Sequence, residues 1–364
     1  MRPLEGIKVV SIEQAVAAPF CTARLADAGA EVIKIERPEG DFARGYDSVA
    51  RGQSSYFVWL NRGKTSQTLD LASPKGKEVL AELLAGADVL VQNLKRGALD
   101  RLGFGPERLA DEFAHLICCS ITGYGEGGPM ADRKAYDLLV QAESGLCSIT
   151  GGPSEPARVG ISIVDIATGA TAHAAILEAL LRRAVTGQGA NISISMFDVM
   201  ADWLTVPLLN HEAGNSPKRI GLAHPSIAPY GVFTAKDGAQ ILLSVQSDRE
   251  WKNLCNLFLQ APDFVTDPRF ARNIDRVQNR DETDAIISAA FARMTAPEAV
   301  AALSRADVAL AQLNDMGGLS NHPHLRRITV ETEAGPVSMP APAPIWGDDP
   351  HGFGPVPALN PLED

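Results

Sequence analysis

Four short, mostly apolar runs separated by helical patterns constrain the folding of this chain more than any other feature. Residues 7–12 (IKVVSI), 31–35 (EVIKI), 88–92 (DVLVQ) and 116–122 (LICCSIT) are too short for helices and read as strands. Residues 18–28 and 73–86 carry helical spacing, the second placing Val79, Leu80, Leu83 and Leu84 on one face. Strands alternating with helices predict a parallel sheet covered on both faces, because each parallel crossover lays a helix on the sheet.

A different pattern begins near residue 225. Residues 230–233 and 240–245 flank Lys236-Asp237-Gly238, an Asp-Gly hairpin signal. Helical stretches follow at 248–259, 281–293 and 297–305. The expected class is therefore α/β, with a large parallel-sheet domain over 1–207 and a smaller α+β domain over 225–325. The polar, turn-rich residues 208–224 read as the linker between them. Residues 326–364 are expected to add a short strand or two and a Pro/Gly-rich tail that completes the large domain. With 364 residues the chain is long enough for two cores.

A net charge of −11 argues against nucleic acid as the main partner, while leaving room for a local basic cluster that holds one polyanionic small molecule. The N-terminus has no charged segment followed by an apolar one, and the longest apolar stretch, 166–181, includes His173 and Glu178. The expectation is a cytoplasmic protein with no membrane partner. Five cysteines without a CxxC pair read as free thiols.

Two glycine motifs mislead. Gly123-Tyr124-Gly125-Glu126-Gly127-Gly128 matches GxGxxG, but Pro129 and a polar segment follow where a phosphate-binding helix should open. Gly63-Lys64-Thr65 looks like the end of a phosphate loop, yet the glycine required five positions earlier is Val58. No histidine pair has metal-ligand spacing and no GxSxG elbow is present, so no metal site is expected.

An ordered set of segments resembles the family III CoA-transferases, the CaiB–BaiF family. Glu13-Gln14-Ala15 is followed by Gly29 to Arg37 (GAEVIKIER), and Asn61-Arg62-Gly63-Lys64 by Leu69-Asp70-Leu71. Then come Gln92-Asn93-Leu94, Gly97 to Gly103 (GALDRLG), Ala135-Tyr136-Asp137, Val164-Asp165 and Thr186-Gly187-Gln188-Gly189. His224-Pro225 and Pro229-Tyr230 extend the likeness into the second domain.

The resemblance implies a Rossmann-like large domain, a small α+β domain and an interlocked homodimer. It also implies transfer of coenzyme A from an acyl-CoA to a carboxylic acid, with no permanently bound cofactor. Asp165 stands at the position of the family's catalytic aspartate. Residue periodicity alone places it at or near the N-cap of a helix over 166–183, where an aspartate is often only a cap. Such a helix end favours the ionised carboxylate needed for attack on a thioester. The small Ala167, Gly169, Ala170 and Ala172 that follow would allow close approach. By resemblance, Gln14, Ala15 and Tyr136 contact the thioester or acyl group. Arg37, Arg101 and Lys134 contact the phosphates or adenosine of CoA, and Leu71, Ala72, Asn93 and Leu94 line the adenine side.

The related α-methylacyl-CoA racemases share the fold and the aspartate but carry a histidine near the position of Tyr136. A phenol suits proton abstraction poorly, so transfer is favoured over racemisation. Asp137 is expected to point elsewhere. A catalytically impaired CoA-binding protein is the third reading. Two departures stand out: no run of glycines matches the loop that covers the site of formyl-CoA:oxalate transferases, which argues against oxalate or formate. The family also continues beyond Leu359 into a Gly-Glu-His-Thr-type segment where this sequence has Asn360 to Asp364, a change expected to weaken packing or activity.

Overall fold

The computed structural model describes residues 2–347 and 352–360 and divides into two compact units. The first contains residues 1–147, 158–209 and 326 onward; the second contains 148–157 and 210–325.

Six parallel strands form the sheet of the first unit: β1 (Lys8–Ile12), β2 (Glu31–Glu36), β3 (Lys64–Thr68), β4 (Val89–Gln92), β5 (Ile117–Thr122) and β6 (Ala190–Ser195). Their order is β3-β2-β1-β4-β5-β6, the doubly wound arrangement whose direction reverses between β1 and β4. The connecting helices are α1 (Ala17–Asp27), α2 (Ser55–Asn61), α3 (Pro74–Ala85), α4 (Ala98–Arg101), α5 (Pro106–Glu112), α6 (Asp137–Glu143), α7 (Leu146–Ile149) and α8 (Ile163–Thr186). On one face Val9, Val32, Val89, Val91 and Ile117 pack with Cys21 and Leu25 of α1 and Ala172 and Ile176 of α8. On the other, Val10, Ile12, Ile35 and Leu90 pack with Leu80 and Leu84 of α3 and with Phe104 and Leu109. Burial on both faces explains why these strands are nearly free of alternation.

The two edge strands escaped the sequence reading. The polar β3 (KTSQT) buries alternate residues, and β6 (ANISIS) alternates half-buried with exposed ones until the buried Ser195. The C-terminal segment shields the outer edge of β3. Gly63 N donates to Pro355 O at 2.8 Å, Asn360 Nδ2 donates to Ser66 O at 3.0 Å, and Thr68 Oγ1 donates to Asn360 O. Covering an edge in this way removes a template for unwanted pairing. The departure expected from Asn360 to Asp364 begins on this edge with Asn360, and residues 361–364 lie outside the described residues.

α8 is 24 residues long and apolar enough to cross a membrane by length and composition, longer than the 166–181 stretch suggested. Its apolar face is instead used against α1. A Cβ built on Gly169 would lie 2.4 Å from Ala17 O and 3.0 Å from Phe20 Cβ, so only glycine permits this crossing.

The glycine-rich segment after β5 makes turns, with Gly125 N donating to Thr122 Oγ1 at 3.0 Å, and no helix begins before Asp137. Gly63-Lys64-Thr65 runs into β3 rather than into a phosphate-binding helix. All five cysteines are free thiols.

After α9 (Met196–Trp203), α10 (Thr205–Glu212) occupies the first part of the segment read as a linker. The second unit holds an antiparallel sheet of β7 (Tyr230–Thr234), β8 (Gln240–Ser244) and β9 (Ala309–Gln312), in that order. The Asp-Gly turn forms as expected, with Gly238 at φ +83°. Its core gathers Phe233, Leu243, Trp251, Phe258, Phe270 and Phe291. The chain then adds the antiparallel pair β10 (Arg327–Val330) and β11 (Val337–Pro340), which packs with Phe57, Val58 and Val356 of the first unit.

Candidate active site

Parallel strands point their carboxyl ends at one edge of the sheet, and the reversal of strand order opens a crevice there. That crevice is a cleft of about 370 Å³, and Gln14, Arg37, Leu71, Leu94 and Arg101 all line it. Five of the expected contacts thus converge from segments far apart in sequence. Asn93 stands beside them. Its Oδ1 accepts from Gln14 N at 3.0 Å and its Nδ2 donates to Gln14 O at 2.8 Å, which clamps the turn after β1 to the end of β4. Arg37 and Arg101 are exposed; among the described residues Arg37 donates to Gly40 O and pairs with Glu39 at 3.8 Å, and Arg101 donates to Arg96 O. Their remaining donors stay available for an anion. Ala72 and Lys134 are exposed and do not line the cleft.

A second cluster forms around the start of α8. Asp165 is not at the N-cap. Helix α8 begins at Ile163, Ser162 is the N-cap and makes no side-chain cap, and Asp165 is the third helical residue. The cap comes instead from Asp137. Its Oδ2 accepts from Val164 N at 2.8 Å and from Asp165 N at 3.3 Å, while its Oδ1 accepts from the buried Gln141 Nε2 at 2.6 Å. Asp137, expected to point elsewhere, is turned instead toward the start of α8. Because a remote carboxylate does the capping, the helix starts three residues before the local sequence signal.

This arrangement reverses the expected electrostatics of Asp165. Burial, followed by the negative charge of Asp137, pushes its carboxyl up to about 7. The favourable helix end is outweighed because those two effects both oppose charging. The half-buried Asp165 can thus hold or release a proton near neutrality.

Tyr136 immediately precedes α6 and is exposed. Tyr46 was absent from the sequence expectations, yet burial and the nearby Asp41, Asp165 and Tyr136 push its hydroxyl up to about 12. Its ring meets Phe42 and, edge-on, Tyr56. The spaced aromatics Phe42, Tyr46 and Tyr56 were the available signal. Ala15, Tyr56 and Ile166 all pack against Val16, Phe20 and Leu60, which brings the turn after β1 up to the start of α8.

Beneath this turn lies an ionic network that sequence reading also missed. Lys64 Nζ is 2.7 Å from Glu13 Oε1, and Lys34 Nζ is 2.8 Å from Asp41 Oδ2 and 3.6 Å from Glu13 Oε1. Burial opposes the charge on Glu13, but Lys64 and Lys34 outweigh it and hold its carboxyl below the usual range. Burial, ahead of the pull of Glu13, brings Lys64 down to about 8.

A doubly wound α/β sheet with a crevice at its switch point, and a perturbed carboxyl on a helix of the same unit, is an arrangement in which α/β enzymes place their binding sites. More narrowly, the chain is a member of CoA-transferase family III, whose model matches residues 4–358. It is 38% identical to an acetyl-CoA:oxalate CoA-transferase of Acetobacter aceti, over 98% of this chain and 93% of that protein. It is 35% identical to a succinyl-CoA:glutarate CoA-transferase of Mus musculus, over 94% and 80% of the two chains. The crystal structure of a CAIB/BAIF family protein from Brucella suis matches with a TM-score of 0.82 at 35% identity, covering 99% of this chain and 97% of that one.

Proposed function

We propose that the enzyme transfers coenzyme A from a short acyl-CoA to a dicarboxylic acid through covalent intermediates on Asp165. The observation that carries this reading is the half-buried Asp165 carboxyl, titrating near 7 at the head of a helix packed against the Gln14–Ala15 turn. Its ionised oxygen attacks the acyl carbonyl, the carbon–sulfur bond breaks, and CoA leaves as the thiolate with a mixed anhydride left on the protein. The thiolate then attacks the Asp165 carbonyl, releasing the donor acid and forming an aspartyl-CoA thioester. The acceptor carboxylate attacks that thioester, expelling the thiolate and forming a second anhydride. Return of the thiolate to the acceptor's carbonyl yields the new acyl-CoA and frees Asp165. Water takes no part, so a site that excludes it protects both anhydrides from hydrolysis.

In the same reading, CoA lies in the cleft with its phosphates near Arg37 and Arg101, and Lys134 closes on it from the surface. Leu71, Ala72, Asn93 and Leu94 flank the adenine. Gln14, Ala15 and Tyr136 hold the thioester end, and the enzyme works as a cytoplasmic homodimer. The dicarboxylate class is supported by the relatives' names, which include oxalate and glutarate as well as mesaconate in a Haloarcula hispanica protein. Oxalate belongs among the acceptors tested despite the missing glycine run, since the Acetobacter relative carries that acid in its name.

The test is incubation with a panel of acyl-CoAs, quenching with hydroxylamine, and mass spectrometry of the protein. A hydroxamate at Asp165, lost in Asp165→Ala, is the expected result. Exchange that persists in Asp165→Ala would overturn the mechanism. Solvent deuterium entering the acyl α-carbon without an acceptor acid would favour racemisation instead.

A further inference from the structure

Ala15 has a φ of +64°, a left-handed conformation that costs a residue with a Cβ about 1–2 kcal/mol. The turn that adopts it carries Gln14 into the cleft, and Ala15 packs in the same cluster as Ile166 of α8, so its conformation sets where Gln14 stands relative to the start of that helix. Asn93 holds the Gln14 side of this turn by two hydrogen bonds. Asp41 holds the other side, and every polar group of Asp41 is engaged in doing so.

Asp41 Oδ1 accepts from Ala15 N at 3.2 Å and from Ala43 N at 2.9 Å. The second bond caps the 3-10 turn Phe42–Gly45, whose next residue is Tyr46. Asp41 Oδ2 meets Lys34 Nζ at 2.8 Å, and Asp41 N donates to Glu36 Oε2 at 2.8 Å. Lys34 and Glu36 belong to β2, in the middle of the sheet's first half. Lys34 is in turn held by Glu13 O at 3.4 Å, on the residue just before the turn. One buried carboxylate thus fastens two segments of the site to a strand paired on both sides.

We propose that Asp41 is the positioning residue of this active site, holding the Gln14–Ala15 turn and Tyr46 in register with Asp165 through its ion pair with Lys34. It needs no contact with substrate to do this. Its oxygens are spent on backbone amides and a buried ammonium, and the side chain is fully buried. A buried pair with these additional hydrogen bonds fixes geometry more than it adds net stability, because desolvation offsets the attraction. The inference rests on the reading of Asp165 as nucleophile.

The experiment compares wild type with Asp41→Ala, Asp41→Asn and the paired Lys34→Met/Asp41→Asn variant, using labelled acid exchange and calorimetric CoA binding. The paired variant removes both charges together, so no uncompensated ion stays buried when the fold is tested. In folded protein, kcat is expected to fall ~10–100-fold, as for a displaced reacting group. KM and the Kd for CoA should stay within about threefold of wild type, the pattern of a loss confined to the transition state. The Asn variant, which keeps an acceptor for the Ala15 amide, should retain more turnover than the Ala variant. A merely structural Asp41 would lower Tm and leave the turnover of the folded fraction unchanged, and that result overturns the proposal. Asp165→Ala is run alongside. If it keeps exchanging acid, the nucleophile reading falls and the proposal with it. If it is inactive while the Asp41 variants turn over normally, the positioning proposal alone is wrong.

Discussion

Asp137 caps the helix that carries Asp165 and at the same time opposes the charge on Asp165. Its Oδ2 accepts from the Val164 and Asp165 amides at 2.8 and 3.3 Å, while its negative charge adds to burial in pushing the Asp165 carboxyl up to about 7. A neutral capping residue would hold the helix equally well without the second effect. The arrangement makes Asp165 a more basic carboxylate than an exposed aspartate, and a more basic oxygen is a stronger nucleophile once ionised.

The pH profile should follow from this pair. Attack needs the ionised form, so turnover is expected to fall as pH drops through about 7. In Asp137→Asn the like charge is gone and the amide oxygen can still accept from the two backbone amides. The acid limb of kcat/KM should then move down by roughly one pH unit, with burial keeping the carboxyl above the ordinary aspartate range. An acid limb at the same position in both proteins would mean that another group governs ionisation.

Stability should move in the opposite direction to activity. A carboxyl whose folded pKa is raised binds more protons folded than unfolded between its unfolded value of 3.8 and about 7. Its contribution is therefore greatest below that window and is lost as pH rises through it. Asp165→Asn removes the penalty. At pH 8 the variant should melt higher than wild type, by about 2–4 °C for each kcal/mol recovered, and the gain should shrink at pH 5. Calorimetric scans at the two pH values decide it; a variant less stable than wild type at pH 8 contradicts the electrostatics.

How much of this was legible in the sequence depended on where each residue gets its partners. β1, β2, β4 and β5 are covered on both faces, so their apolar runs announced them. β3 and β6 lie at the two edges, where half the residues can be polar, and no apolar run marked them. The cleft-lining Gln14, Arg37, Leu71, Leu94 and Arg101 were reachable only through family likeness, because the segments after four different strands bring them together. The start of α8 was misplaced because its cap arrives from 27 residues upstream. Lys34 read as one polar residue in a strand. Its burial against Asp41 and Glu13 is a tertiary fact that strand periodicity cannot encode.

The two arginines at the cleft offer a direct check on where the CoA phosphates sit. Each presents a charged fork with donors to spare, and bonds to ionised phosphates are about twice as strong as neutral ones. Arg37→Ala and Arg101→Ala should each weaken CoA binding ~10-fold with little change in kcat, as for interactions made equally in ground and transition states. Titration calorimetry at two salt concentrations should find the wild-type affinity more salt-sensitive than that of either variant. Dephospho-CoA, which lacks the 3′-phosphate, should lose affinity against wild type and lose less against whichever variant has removed that contact. Unchanged Kd values in both variants would move the phosphates elsewhere.

Gly169→Ala sets helix propensity against packing. In an isolated helix the change would stabilise by about 1 kcal/mol, since glycine gives up more backbone freedom. Here the added methyl would lie 2.4 Å from Ala17 O, a backbone atom that cannot rotate away, and 3.0 Å from Phe20 Cβ. The helices must part, and overpacking of this kind costs about 1–3 kcal/mol. Ala17 opens α1 directly after the turn that holds Gln14 and Ala15, and Gly169 sits one turn beyond Asp165. The displacement therefore reaches the site itself, and turnover should fall along with the denaturation midpoint. Denaturant melts and acid-exchange rates measure the two together. A variant as stable as wild type, with full activity, would mean that α1 and α8 do not meet at this glycine.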